Sequence, residues 1–263
     1  MKRDLLTGSA KAFNYDMAIV NNNRRELAEF EHKFHLWVHS SVQEVKGLPR
    51  KKYIVSGVTD AFNQLYALHN KIGVFEGEYG YHKKVLGDRV TTDLREADCI
   101  ILSHPFSGDG NCSLDKLREA NSYGVPIFID CALFGICKDI KFDFKPYKNV
   151  TSVCFSLSKV FGTGLRRVGL LYTKERFACT QYADWQYPLV ASAEYHYDLL
   201  STVGPDDMPN KYALKQKSIC RKYELIPSST VIFGLDRTDN YAKYKRGDVN
   251  RVCITNLLEL DNE

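Results

Sequence analysis

The run from Ser156 to Gly169 reads Ser-Leu-Ser-Lys-Val-Phe-Gly-Thr-Gly-Leu-Arg-Arg-Val-Gly. Lys159 stands just after an apolar stretch, Val150 to Phe155, whose continuous character reads as a buried strand. Burial disfavours a charged ammonium, and a neutral lysine amine is a nucleophile able to condense with an aldehyde. Ser156 and Ser158 add hydroxyls, Arg167 adds a planar fork suited to phosphate, and the glycines leave room for a small molecule beside the backbone. Taken alone, the block is equally a polar loop with a solvated lysine.

Further groups along the chain bear on the same chemistry. Asp130 ends the apolar run Val125-Pro126-Ile127-Phe128-Ile129, where a carboxylate either caps a turn or faces a ligand. Gly57-Val58-Thr59-Asp60-Ala61 reads as a helix start behind a glycine. Free N–H groups and a positive dipole end suit a phosphate there. Tyr79, in Glu78-Tyr79-Gly80-Tyr81-His82, offers an aromatic face, although with 16 tyrosines in the chain a packing role stays open. Ser107 lies in the loop His104-Pro105-Phe106-Ser107-Gly108-Asp109-Gly110. Arg251, in Asn250-Arg251-Val252-Cys253-Ile254, is either an exposed strand arginine or a fork for a carboxylate.

Taken in order, these elements resemble the pattern of the class I/II aminotransferases that depend on pyridoxal 5'-phosphate (PLP). The resemblance runs from about Tyr53 to Ile254. It implies that Lys159 carries PLP as a Schiff base and acts as general base. The phosphate would be held by Ser156, Arg167, the amides of Val58 and Thr59, and the Thr59 hydroxyl, with Ser158 also binding the cofactor. Tyr79 would cover the ring. Asp130 would keep the pyridine nitrogen protonated, so that the ring withdraws electrons from the substrate. Arg251 would pair with the substrate α-carboxylate. Two positions depart from the pattern: Ser107 replaces the asparagine that bonds the cofactor's phenolic oxygen, and Leu133 replaces a tyrosine three residues after the aspartate.

The resemblance implies an aminotransferase working on an amino acid and a 2-oxo acid as a homodimer. The two departures leave a PLP-dependent lyase, decarboxylase or synthase open, and the short chain leaves a non-catalytic PLP-binding relative open. His104, Tyr81, Arg166 and Trp185 are candidates for the rest of the pocket, with packing or surface roles equally open.

These groups need a scaffold. Short apolar strands at 52–55, 72–75, 99–103, 125–129, 150–155 and 168–172 alternate with helical patterns at 60–71 and 113–123. Such alternation predicts an α/β fold, a mainly parallel sheet covered by helices on both faces, with ligands at the carboxyl ends of its strands. Ahead of it, Leu27, Phe30, Phe34, Trp37 and Val38 recur at helical spacing and predict an amphipathic helix over 21–45, capped by Asn22 or Asn23. After Lys174 the pattern changes. Helices at 175–185, 189–202 and 209–223, then strands at 230–233 and 251–254, predict a small α+β appendage. The expected division is an N-terminal helical segment (1–50), a large cofactor-binding domain (51–173) and a reduced small domain (174–263).

Composition narrows the classes. The chain has 263 residues, 44% hydrophobic and 26% charged, which suits an ordinary globular core. A net charge of +4 with scattered basic residues does not suggest nucleic acid. The eight cysteines form no CxxC pair and several sit in apolar runs, so buried thiols are expected and a zinc site is not. Met1-Lys2-Arg3-Asp4 opens no signal-peptide pattern and no apolar run has the length of a membrane span. The expectation is a soluble, cytoplasmic protein.

Overall fold

The computed structural model describes residues 24–177, 189–238, 240–255 and 257. The expected helix at 175–185 falls largely outside them, as do Trp185 and the proposed caps Asn22 and Asn23. The first helix, α1, spans 24–39 and buries Leu27, Phe30, Phe34, Trp37 and Val38, the stripe that its spacing predicts. It stops short of Val45. Asp206 accepts hydrogen bonds from Ser41 Oγ and the Val42 amide at 2.8 Å each, and Glu44 turns the chain at φ 51°. Those contacts and that turn end the helix.

The core elements follow in order: β1 (Lys51–Val55), α2 (Val58–Leu68), β2 (Ile72–Val74), α3 (Tyr81–Leu86), β3 (Val90–Thr91), β4 (Cys99–Ser103), α4 (Leu114–Ser122), β5 (Ile127–Cys131), β6 (Val150–Ser156) and β7 (Gly169–Thr173). Among the described residues these strands form one seven-stranded sheet in the order β1-β7-β6-β5-β4-β2-β3. The pairs from β3 to β6 are parallel, whereas β7 runs antiparallel to both β6 and β1. Every residue of β4, β5 and β7 is buried, which is the mark of a sheet covered on both faces.

Alternate strand residues serve opposite faces. Ile100, Leu102, Ile127, Ile129, Val153 and Phe155 join α1 and α4 in one core. Cys99, Ile101, Phe128, Cys154 and Leu171 join Val58, Ala61, Phe62, Leu65 and Tyr66 of α2 in the other. Asp130 lies between Ile129 and Cys131 of the first core, so its side chain is directed to the α2 face. It sits inside β5 rather than after it, because the strand begins and ends two residues later than its apolar run suggests.

The remaining elements are α5 (Val190–Thr202), α6 (Asp207–Lys222), β8 (Ile226–Pro227), β9 (Phe233–Asp236), β10 (Lys245–Arg246) and β11 (Val249–Cys253). The last four strands form a small antiparallel sheet in the order β10-β11-β9-β8. The expected strands at 230–233 and 251–254 are each displaced by a few residues: β9 begins at Phe233, after Thr230 has turned inward to donate to the Gly110 carbonyl at 2.7 Å. Among the described residues no helix is long and apolar enough to cross a membrane. Cys99, Cys131, Cys137, Cys154 and Cys220 are buried free thiols, while Cys112 is exposed.

Candidate active site

A cleft of about 210 Å³ lies at the carboxyl ends of β4, β5 and β6. Parallel strands all present that end to one edge of the sheet, which is why residues far apart in sequence meet there. Val58, Thr59, Tyr79, Ser107, Asp130, Ser156, Ser158, Lys159, Arg167 and Arg251 all line it.

One end of the cleft is formed by the start of α2, Arg167 and two serines. Gly57 caps α2 at φ 75°, so the chain enters the helix with its first amides directed outward. Arg167 crosses from the loop before β7 and donates from Nη2 to Thr59 Oγ1 at 3.0 Å and from Nε to the Ser56 carbonyl at 3.4 Å. A Cβ on Gly57 would meet Arg167 Nη2 at 3.0 Å, and one on Gly169 would meet the Phe155 carbonyl at 2.6 Å. Gly57 therefore lets the arginine close on the helix terminus, while Gly169 lets the chain pass close to β6 and to Gly57. Ser156 Oγ lies 3.2 Å from Ser158 Oγ beside them.

Asp130 forms the floor. Its Oδ1 accepts from the Ala132 amide at 2.8 Å, so the turn-capping role and the cleft-facing role coexist. Burial pushes its carboxyl up to about 7; the Ala132 N–H opposes this, the Glu78 carboxylate adds to it, and the Lys159 charge opposes it. A buried acid held at such a value is short of a cationic partner. Tyr79 stands at the wall, stacked on Tyr81 (5.9 Å between centroids, 15° between planes) and edge-on to His82, whose Nδ1 lies 2.7 Å from the Tyr66 hydroxyl.

Lys159 departs from expectation. It follows β6 but stands exposed in the turn beyond the strand, whereas a buried position was expected. The strand ends at Ser156 and a turn follows in which Leu157 and Val160 are buried while Lys159 is exposed. Leu133, at the position of the missing tyrosine, is an apolar part of the wall.

The three other pocket candidates among the described residues are not in the cleft lining. His104 is buried, with Nδ1 2.8 Å from Ser113 Oγ and Nε2 2.8 Å from the Lys141 carbonyl. Ser113 is thereby committed to the core and does not cap α4 through its side chain. Tyr81 donates to Asn63 Oδ1, and Arg166 lies over the Tyr195 ring.

Sequence reasoning missed Glu78, Ser103, Arg246 and Phe233. Glu78 is buried behind Tyr79. Its carboxylate accepts from the Tyr79 amide and the Ser103 amide at 2.8 Å each, and from Ser103 Oγ. Ser103 Oγ accepts in turn from the Ser107 amide, and the Ser107 carbonyl accepts from Arg251 Nη1. A chain of hydrogen bonds thus joins the end of β4 to β11 of the small sheet. No local pattern marks Glu78, because two of its three donors come from Ser103 at the end of β4. Alanine at 78 strands two buried amides, so Glu78→Ala is expected to cost about 2–4 kcal/mol, with Glu78→Gln recovering part of it; urea denaturation of the three proteins measures both.

No family model matches the chain, and no curated protein matches it by sequence. Solved structures do. Aminotransferase AspB from Helicobacter pylori superposes with a TM-score of 0.64 at 15% identity, over 93% of this chain and 86% of that one. A PLP-bound protein from Clostridium difficile, assigned as an aminotransferase, gives 0.60 at 14% identity over 91% and 86%. L-threonine-O-3-phosphate decarboxylase from Porphyromonas gingivalis gives 0.59 at 12% identity over 90% of both chains. The chain therefore has the fold of the class I/II PLP-dependent aminotransferases.

Proposed function

We propose that this protein is a PLP-dependent enzyme acting on amino acids, and that its reaction is transamination. The observation that carries the reading is the convergence on one cleft of an amine (Lys159), a buried carboxylate (Asp130) and a helix terminus with an arginine (Arg167). When bound, PLP supplies an aldehyde that takes up an amine and a ring that accepts electrons.

The residues fit that group in separate ways. The amides of Val58 and Thr59, the Thr59 hydroxyl, Arg167, Ser156 and Ser158 bind its phosphate. Asp130 holds a proton on the ring nitrogen, and the cation so formed supplies the partner that its buried carboxylate lacks. Tyr79 covers a ring face. Ser107, also in the cleft lining, would take the place of the asparagine that bonds the phenolic oxygen. Lys159 attaches the group through Nζ and, once displaced by substrate, moves a proton at that atom. Arg251, from the small sheet, binds the α-carboxylate. On this division residues 51–173 hold the cofactor, residues 174–263 bring the carboxylate site, and the chain works as a homodimer on an amino acid and a 2-oxo acid.

Leu133 favours a second reading. An apolar side chain in place of a hydroxyl removes one group that steers protons near the amine, which suits a PLP-dependent lyase, decarboxylase or synthase. The two are separated by incubating PLP-loaded protein with pools of amino acids without a 2-oxo acid. Transamination converts the bound PLP stoichiometrically to pyridoxamine phosphate. Carbon dioxide or ammonia released without that conversion supports the second reading, and protein that takes up no PLP overturns both.

A further inference from the structure

Two guanidiniums, not one, face the substrate end of the cleft. Arg246 of β10 pairs with Val249 of β11, and Arg251 lies two residues further along β11. With a side-chain period of two, both arginines stand on the same face of the small sheet as diagonal neighbours, with Cβ atoms about 7–8 Å apart. Both side chains reach the lining of the same cleft, so one small molecule with two anionic ends can meet both.

Neither arginine has an ion-pair partner within 4 Å among the described residues. Arg251 donates to the Ser107 carbonyl and lies 4.2 Å over the Phe233 ring, but its Nε is buried without a hydrogen-bond partner. The nearest carboxylate in charge terms is Glu78, and its oxygens are already engaged by Ser103 and Tyr79. Glu76, Asp109 and Asp248 line a separate cavity on the other side of Arg246 and compete for it from there. Burial, and after it the charge of Arg246, bring Arg251 down to about 10. Like charges held together in a cleft are relieved by an anion. One α-carboxylate satisfies one guanidinium and leaves the other.

We propose that Arg246 and Arg251 form a two-guanidinium subsite for a substrate bearing a second anionic group, a carboxylate or a phosphate, in addition to its α-carboxylate. The inference rests on the reading of this cleft as an amino-acid site. It adds a substrate class to that reading: acidic or phosphorylated amino acids rather than neutral or basic ones.

The test uses unreactive probes on the full chain by calorimetry: propionate with one anion, succinate with two carboxylates, and 3-phosphonopropionate with one carboxylate and one phosphonate. Titrations run on PLP-saturated protein and, in parallel, on PLP-free protein in phosphate-free buffer. The two-anion probes are expected to bind at least about tenfold more tightly than propionate, a difference of about 1.4 kcal/mol. In Arg246→Gln the ratio is expected to fall close to one, whereas Arg251→Gln weakens all three probes. Preference between succinate and the phosphonate assigns the second group. Equal binding of propionate and succinate by the wild type, a ratio unchanged in Arg246→Gln, or no binding of any probe overturns the subsite. PLP uptake is followed separately by absorbance. An Arg246-dependent preference in protein that takes up no PLP would sink the cofactor reading and leave the subsite standing.

Discussion

Lys159→Ala protein, incubated with PLP and reduced with borohydride, is expected to carry no covalent label, while the wild type carries one label on the peptide containing Lys159. The reason is geometric. Lys159 is the lysine in the lining of the cleft that also holds Asp130 and Arg167. The Thr59, Ser156, Ser158 and Arg167 contacts do not involve the amine, so the variant should still bind PLP reversibly. Turnover should fall by on the order of 10²–10⁴ from loss of the proton carrier alone, and further from loss of attachment. Mass spectrometry of the reduced, digested protein decides the matter. A label on another lysine, or retained turnover in the variant, removes Lys159 from the mechanism.

The second large effect concerns Asp130, and its sign differs between the free and loaded protein. In the folded chain without a bound cation its carboxyl titrates near 7, against an ordinary value of 3.8. An acid whose pKa is raised on folding holds an extra proton in the folded state between those values, so stability falls as pH rises from about 4 to about 7 and levels off above. For a fully buried group the whole effect is on the order of 4 kcal/mol, an upper figure. An asparagine side chain at this position keeps an acceptor for the Ala132 amide and has no charge to bury. Asp130→Asn without PLP is therefore expected to be more stable than wild type at pH 8 and to lose less stability between pH 5 and pH 8. A residual slope in the same direction should remain, because burial also raises the Glu78 carboxyl. With PLP present the order reverses. Wild type gains the cationic ring nitrogen as a partner; the variant does not, and its turnover should drop by orders of magnitude with loss of electron withdrawal. Denaturant unfolding at the two pH values, with and without PLP, reads all four states. A wild type no less stable at pH 8 than at pH 5 without PLP would refute the account.

Both effects depend on residues that can be picked out from sequence, and the reason lies in how the fold is built. Each parallel strand ends at the same edge, so polar residues that close apolar runs, such as Asp130 and Ser156, fall into the cleft wherever they lie along the chain. The glycine before α2 and the Arg167 fork, which meet at Thr59 and Ser56, were legible because a helix start behind a glycine and a planar cation both have local signatures. The helical stripe of α1 was legible because its period is intrinsic to the helix.

Other features have no local signature. Glu78 reads as an ordinary charged residue, yet Ser103, brought alongside by the pairing of β2 with β4, turns it into a buried acceptor. Arg246 reads as a turn residue in a basic stretch, and only the β10–β11 register sets it beside Arg251. The antiparallel course of β7 between β6 and β1 was equally hidden, since a fully buried strand has the same composition in either direction. The exposure of Lys159 went against expectation because an apolar strand says nothing about the turn that follows it.

By itself, then, the amino-acid order determined which residue types stand at strand ends and helix starts, because periodicity and backbone chemistry act over a few neighbours. Which of them touch, how deeply Asp130 is buried, and that two arginines confront one another across a small sheet were decided by tertiary packing. Dielectric surroundings and strand register are set by atoms distant in the chain.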